Sequence, residues 1–116
     1  MEPTERLLVA CLCAAWCGTC REYEAAFAAA RQADGGAADW AWVDIEDHDE
    51  VLGTLDVENF PTLLIARGEA VLFYGTVTPH LATLQRLLQN ARDGDFSPST
   101  DPAVAGLPAR VRAVDA

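Results

Sequence analysis

Leu7-Leu8-Val9-Ala10-Cys11-Leu12-Cys13 is followed, after two alanines, by Trp16-Cys17-Gly18-Thr19-Cys20. The first run is apolar without interruption and short, which suits a strand buried on both faces of a sheet. A helix is expected over residues 18–33. Tyr23, Phe27 and Ala30 recur at helical spacing against Arg21, Glu22, Glu24 and Arg31, and Ala25–Ala30 holds five alanines, the best helix formers. Asp34-Gly35-Gly36 stops it, with glycine able to supply a left-handed cap. Two cysteines therefore fall where a strand turns into a helix. Cys17 lies just before the helix, where unpaired backbone N–H groups and the positive end of the helix dipole stabilise a thiolate, the attacking form of the thiol. Cys20 lies one turn further on, within reach of Cys17, and can break a mixed disulfide that Cys17 has formed. A C-x-x-C beside a β-α-β pattern is a redox signal.

Outward from this corner, Trp40–Ile45 reads as a second strand, rich in aromatic and β-branched residues. Asp47–Leu55 reads as a short helix with Val51, Leu52 and Leu55 on one face. Phe60-Pro61 breaks the chain. Thr62–Ala66 and Ala70–Gly75 form a hairpin around Arg67-Gly68-Glu69. Thr78-Pro79 starts a last helix, with Thr as N-cap and Pro at the first helical position, running to about Arg92. The order βαβαββα gives a mixed four-stranded sheet with helices on both faces, an α/β domain over residues 1–94. Residues 95–116 carry Pro98, Pro102 and Pro108 among Ser and Thr with little periodicity. They read as a mostly unstructured, flexible tail, with a weak strand or turn near Ala109–Val114.

The chain has 116 residues, enough for one packed core, and 51% of them are hydrophobic, which rules out wholesale disorder. Its net charge is -10, and all of its cations are Arg. Without a basic stripe, neither nucleic acid nor a polybasic membrane contact is expected. No apolar run approaches the roughly 20 residues that span a bilayer. Leu8-Val9-Ala10-Cys11 looks like a lipoprotein cleavage site, but Met1–Arg6 holds two acids and one Arg where a positive flank is needed. The expected compartment is the cytoplasm, where closely spaced cysteines point to metal or redox chemistry rather than structural disulfides.

With these motifs in place, the chain resembles the thioredoxin family over roughly Arg6 to Arg92. Trp16-Cys17-Gly18-Thr19-Cys20 is similar to the family's Trp-Cys-Gly-Pro-Cys. Phe60-Pro61-Thr62 matches its cis-proline loop, and Gly75 matches the glycine that lines its substrate groove. The resemblance implies a thioredoxin-like fold in a short form, with Cys17 as nucleophile and Cys20 as resolving thiol. It also implies that Trp16 flanks the disulfide, that Pro61 exposes the Phe60 backbone to an extended client segment, and that Gly75 leaves room for that client. The departures are specific. The family's buried Asp, six residues before the nucleophile, is Cys11, and the Lys that partners it aligns with Trp42. A family Trp is Cys13, the motif's Pro is Thr19, and the family's helix-kinking Pro is Ala25. Only 16 residues precede Cys17, so the family's leading strand and helix are expected to be missing.

Several features admit a plainer reading. Cys11 and Cys13 sit two apart on a strand, hence on one face. They read as small buried hydrophobes that modulate the dithiol, although with Cys17 and Cys20 they form C-x-C-x3-C-x2-C, a spacing that zinc or an iron–sulfur cluster could use. His48 and His80 read as surface residues, and the seven acids of Asp44–Glu58 as a solvated face or an acidic docking surface. Trp40–Ile45 would be an edge strand, covered by the tail or by helices, or paired in a homodimer.

The expected function is thiol–disulfide exchange without metal or external cofactor. The direction is reduction, with a disulfide-bearing protein client and an upstream dithiol reductant as partners. The alternatives are a non-enzymatic adaptor or chaperone that binds at the Pro61 groove, and a Cys-rich metal module.

Overall fold

The computed structural model describes residues 7–14, 18–36, 38–51, 61–77, 80–94, 96–102 and 104–115. Strand β1 (Leu7–Cys13) is followed by helix α1 (Gly18–Asp34), β2 (Asp39–Asp44), a 3-10 turn (Asp49–Val51), β3 (Thr62–Arg67), β4 (Ala70–Thr76), α2 (Leu81–Arg92) and α3 (Leu107–Asp115). The sheet order is β2-β1-β3-β4, with β1 parallel to β2 and antiparallel to β3, and β3 antiparallel to β4. This is the mixed four-stranded sheet expected from the sequence, in a thioredoxin-like arrangement.

Every residue of β1 is buried, because it lies inside the sheet and both its faces are covered. The pleat sorts its side chains. Leu7, Val9, Cys11 and Cys13 point toward α1 and α2, where they meet Tyr23, Phe27, Ala30, Leu84, Leu88 and Ala91. Leu8, Ala10 and Leu12 point the other way, toward Val51, Val104, Leu107 and Val111. Gly68, at φ 59, turns the β3–β4 hairpin in a left-handed conformation that suits a residue without Cβ.

Asp34, at the end of α1, fastens the first layer. Its carboxylate accepts from the Ala38 backbone N–H at 2.7 Å and from Trp40 Nε1 at 3.0 Å, and pairs with Arg92 of α2. The side chain is 1% exposed, so the charge is removed from water and held by three donors. One carboxylate thereby ties α1, β2 and α2 together.

Three expectations need correction. The segment read as an unstructured tail contains α3, and Val104, Leu107 and Val111 are buried in the second core layer. The chain reaches that layer by passing β4. Phe96 packs on Phe73 with the first layer, the Ser99 N–H donates to the Val71 carbonyl at 2.7 Å, and Val104 then enters the second. Arg110 Nε donates to the Val51 carbonyl at 2.6 Å, and Arg112 pairs with Asp39 at 3.1 Å. Leu107 and Val111 share this layer with the even-numbered side chains of β1, and burying that apolar surface together is the physical reason the segment folds. The helix expected over Asp47–Leu55 is described only as the 3-10 turn at Asp49–Val51, and residues 52–60 lie outside the described residues. Helix α2 begins at Leu81 with His80 at the cap position, two residues later than the Thr78-Pro79 start. Thr78 and Pro79 lie outside the described residues.

Strand β2 is an edge, as expected, but its aromatic rings do not project along that edge. Trp40 and Trp42 stand under α1, each edge-on to Phe27, at centroid distances of 5.2 and 5.4 Å.

If α3 completes the second layer, Leu107→Ala should lower stability by about 2–5 kcal/mol, the cost of emptying a buried leucine site. Urea denaturation measures it. A change within about 0.5 kcal/mol, as for a surface substitution, would contradict the packing described.

Candidate active site

The carboxyl end of β1, the first turn of α1 and the start of β3 converge. Extending the β1–β3 register by one residue puts Pro61 across from Cys13. Pro61 is fully buried, and its carbonyl accepts from the Val77 N–H at 3.1 Å. On the other side of β1 the Cys13 carbonyl accepts from the Ile45 N–H at 2.9 Å. Cys20 projects from the first turn of α1 back onto this strand end.

The two cysteines that meet here are Cys13 and Cys20. They are joined as a disulfide with a Cα–Cα distance of 5.9 Å, inside the usual range for such a pair, and each is 2% exposed. Cys11 is the next odd-numbered residue back along β1. Its thiol is free and fully buried, with its sulfur 3.2 Å from that of Cys13. A disulfide sulfur carries no proton, so Cys11 S–H is the donor in this contact. Beside the sulfurs opens a cavity of about 350 Å³, lined by Cys13, Ala14, Cys20, Arg21, Glu24, Trp42 and Asp44.

Burial pushes the Cys11 thiol well above its ordinary range, because a thiolate there would lose its hydration. The Tyr23 phenol is pushed up for the same reason, and further by Cys11. Its hydroxyl is fully buried with no hydrogen-bond partner among the described residues. Cys11 and Trp42 are direct register partners across β1 and β2. The place where the family carries an acid–base pair therefore holds two neutral side chains.

Of the residues singled out from sequence, Cys11, Cys13, Cys20 and Pro61 come together. Gly75 on β4 pairs with Leu63 on β3, and the nearest atom to a Cβ placed at Gly75 would be Phe73 Cζ at 3.7 Å, an ordinary contact. Trp16, Cys17 and Phe60 lie outside the described residues. His48 is partly exposed, with Nδ1 3.4 Å from a Glu50 carboxylate oxygen, and His80 is exposed. Among the described residues no cluster of His, Cys, Asp and Glu has the arrangement of a metal site. The sequence reading missed the partner of Cys13. Reading it as a small hydrophobe accounts for its burial but not for its bond to Cys20. The signal lay in the pleat: Cys13 shares a face with Cys11, and that is the face the Cys20 helix covers.

The thioredoxin family model matches residues 1–89, and the chain belongs to the thioredoxin family. No curated protein sequence matches it. Among solved structures it is similar to the thioredoxin of Trypanosoma brucei brucei, at 25% identity and a TM-score of 0.67, over 77% of each chain. It is similar to the thioredoxin of Fasciola hepatica at 21% identity and a TM-score of 0.67, over 74% of this chain and 81% of that one. The germline-specific thioredoxin Deadhead of Drosophila melanogaster is 21% identical with a TM-score of 0.66, over 74% of this chain and 81% of its own.

A buried thiol whose ionisation the fold opposes makes stability depend on alkaline pH. The folded-state pKa is raised, so the contribution is fully present below the unfolded-state value of about 8.5. It is lost as pH rises from there toward the folded-state value. Unfolding free energy of the oxidised protein should therefore fall above about pH 8.5 by up to roughly 1.4 kcal/mol per pH unit. Cys11→Ala should flatten that limb, whatever it costs at neutral pH. Parallel limbs in urea titrations between about pH 8 and 10 would show that Cys11 does not titrate as described.

Proposed function

We propose that this protein is a thiol–disulfide oxidoreductase that reduces disulfides in protein clients, with Cys17 as nucleophile and Cys20 as resolving thiol. The observation that carries the reading is the position of Cys20. It stands in the first turn of α1, buried against the strand end that Pro61 adjoins, with its sulfur able to bond a neighbouring cysteine. Membership of the thioredoxin family supports the same chemistry.

Cys17 immediately precedes α1 in the chain, so the free N–H groups of the first turn favour its thiolate. That thiolate attacks one sulfur of a client disulfide, forms a mixed disulfide and releases the other client sulfur as a thiolate. Cys20 then attacks the Cys17 sulfur. The second client thiol leaves, and the two electrons end on the client while Cys17 and Cys20 become a disulfide. A dithiol reductant restores the pair. No cofactor enters this sequence. In the cytoplasm, the compartment we assign, the cycle runs in the reducing direction. Cys11 stays protonated at neutral pH, so it supplies no base for Cys20. Deprotonation of Cys20 falls to water or to the departing client thiolate, and release should quicken as pH rises.

The test is a covalent trap. Full-length protein with Cys20→Ser, incubated with disulfide-bearing proteins, should accumulate mixed disulfides that dithiothreitol reverses. Cys17→Ser should accumulate none. In parallel the unsubstituted protein should reduce insulin disulfides with a dithiol as electron source, and Cys17→Ser should fall to the uncatalysed background. Insulin reduction that survives Cys17→Ser would remove Cys17 from the nucleophile's role.

A further inference from the structure

Cys20 has two partners. The C-x-x-C spacing offers it to Cys17, and the fold joins it to Cys13. A disulfide uses one sulfur from each side, so the two bonds exclude each other. We propose that Cys13 is a third redox thiol, which takes Cys20 from Cys17 and leaves the protein with a lone nucleophile and no resolving thiol. The inference rests on the oxidoreductase reading for its consequence, but not for the bond itself.

The geometry supports exchange over a merely structural bridge. Cys13 ends β1 and, with Cys20, lines the cavity of about 350 Å³. The bridge takes Cys20, the sulfur that the C-x-x-C motif also uses. Cys11 adds a donor behind Cys13. Its sulfur is 3.2 Å away, and an S–H held there can hydrogen-bond the Cys13 sulfur as it becomes a thiolate. Cys11 is therefore a positioning residue for Cys13.

The step balances without an outside oxidant. Client reduction leaves a Cys17–Cys20 disulfide and a Cys13 thiol. Cys13, as thiolate, attacks the Cys20 sulfur, so the Cys13–Cys20 bond forms and the Cys17–Cys20 bond breaks. Cys17 leaves as thiolate and takes up the proton that Cys13 gave up, and the oxidation level of the protein is unchanged. The reverse attack, by Cys17 on Cys20, restores the motif disulfide. A dithiol reductant acting on Cys13–Cys20 returns all the thiols. In the Cys13–Cys20 state Cys17 can still attack a client, but the mixed disulfide then waits for an external thiol. The exchange thus converts a dithiol reductant into a monothiol one that holds its client.

Cysteine mapping tests this without any client. Full-length protein carrying Cys17→Ser is oxidised with diamide, quenched in acid, alkylated and digested with chymotrypsin. Cleavage after Trp16 separates Cys13 from Cys20, so their disulfide appears as two joined peptides. Of the three remaining thiols, two should be lost together and Cys11 should stay alkylatable. Adding Cys13→Ser should leave both Cys11 and Cys20 free. The unsubstituted protein, oxidised in the same way, covers the case in which the variant does not fold. A fraction should carry alkylated Cys17 together with the joined peptides. Retention of all three thiols by the folded Cys17→Ser protein, a Cys11–Cys20 bond in its place, or unsubstituted protein that contains only the Cys17–Cys20 disulfide would each overturn the proposal. If the fully reduced unsubstituted protein fails to reduce insulin while the Cys13–Cys20 bond still forms on oxidation, the oxidoreductase function is refuted and the bond stands.

Discussion

Burial of β1 on both faces is the constraint on which the rest of this structure depends. A strand enclosed by neighbours on each side and by a layer above and below cannot keep a polar face, and Leu7–Cys13 has none. Because the side chains alternate, the same run must supply two different cores at once. Its odd residues meet α1 and α2 and its even residues meet α3. Cys11 and Cys13 belong to the odd set, so the register that hides the apolar run also delivers two sulfurs beneath the helix that begins with the C-x-x-C motif. A slip of one residue would exchange the sets and place both thiols under α3.

Much of the fold was legible because periodicity and punctuation agree. Helix α1 announces itself by Tyr23, Phe27 and Ala30 and ends at Asp34-Gly35-Gly36, and the β3–β4 hairpin is marked by Gly68. What failed was α3. Leu107 and Val111 are one helical turn apart, but nine residues with a proline near the start give too little periodicity to outweigh a Pro- and Ser-rich approach. Its stability comes from the layer it covers and not from its own propensity, so no local reading could find it. Asp34 is similar. As a helix stop it is ordinary, and its role as a three-donor junction for α1, β2 and α2 depends on Trp40 and Arg92 arriving from elsewhere in the chain.

The site was legible in part for the same reason. Cys17 and Cys20 are related by helical spacing, which sequence shows directly. Cys13 and Cys20 are seven residues apart across a strand–helix corner, and their meeting depends on how α1 crosses β1. Spacing predicts contacts within one element. Contacts between elements need the packing angle, which side-chain burial sets after the chain has collapsed.

The neutrality of the Cys11–Trp42 position has a consequence for how the thiols can work. A carboxyl buried beside Tyr23 and Cys13 would need a cation within reach or would remain protonated, since an unpaired buried charge is expensive. Trp42, the register partner of Cys11, brings no charge, and its ring is occupied against Phe27. Replacing either member of the family's charged pair alone would strand the other, whereas replacing both leaves a core that needs no counter-ion. The same replacement removes a proton acceptor and installs a sulfur 3.2 Å from Cys13. What the site loses in acid–base capacity it gains in an S–H donor beside Cys13. In the exchange proposed above, the fate of Cys20 is set by which neighbouring sulfur is deprotonated and aligned, and not by a carboxylate that waits for its proton.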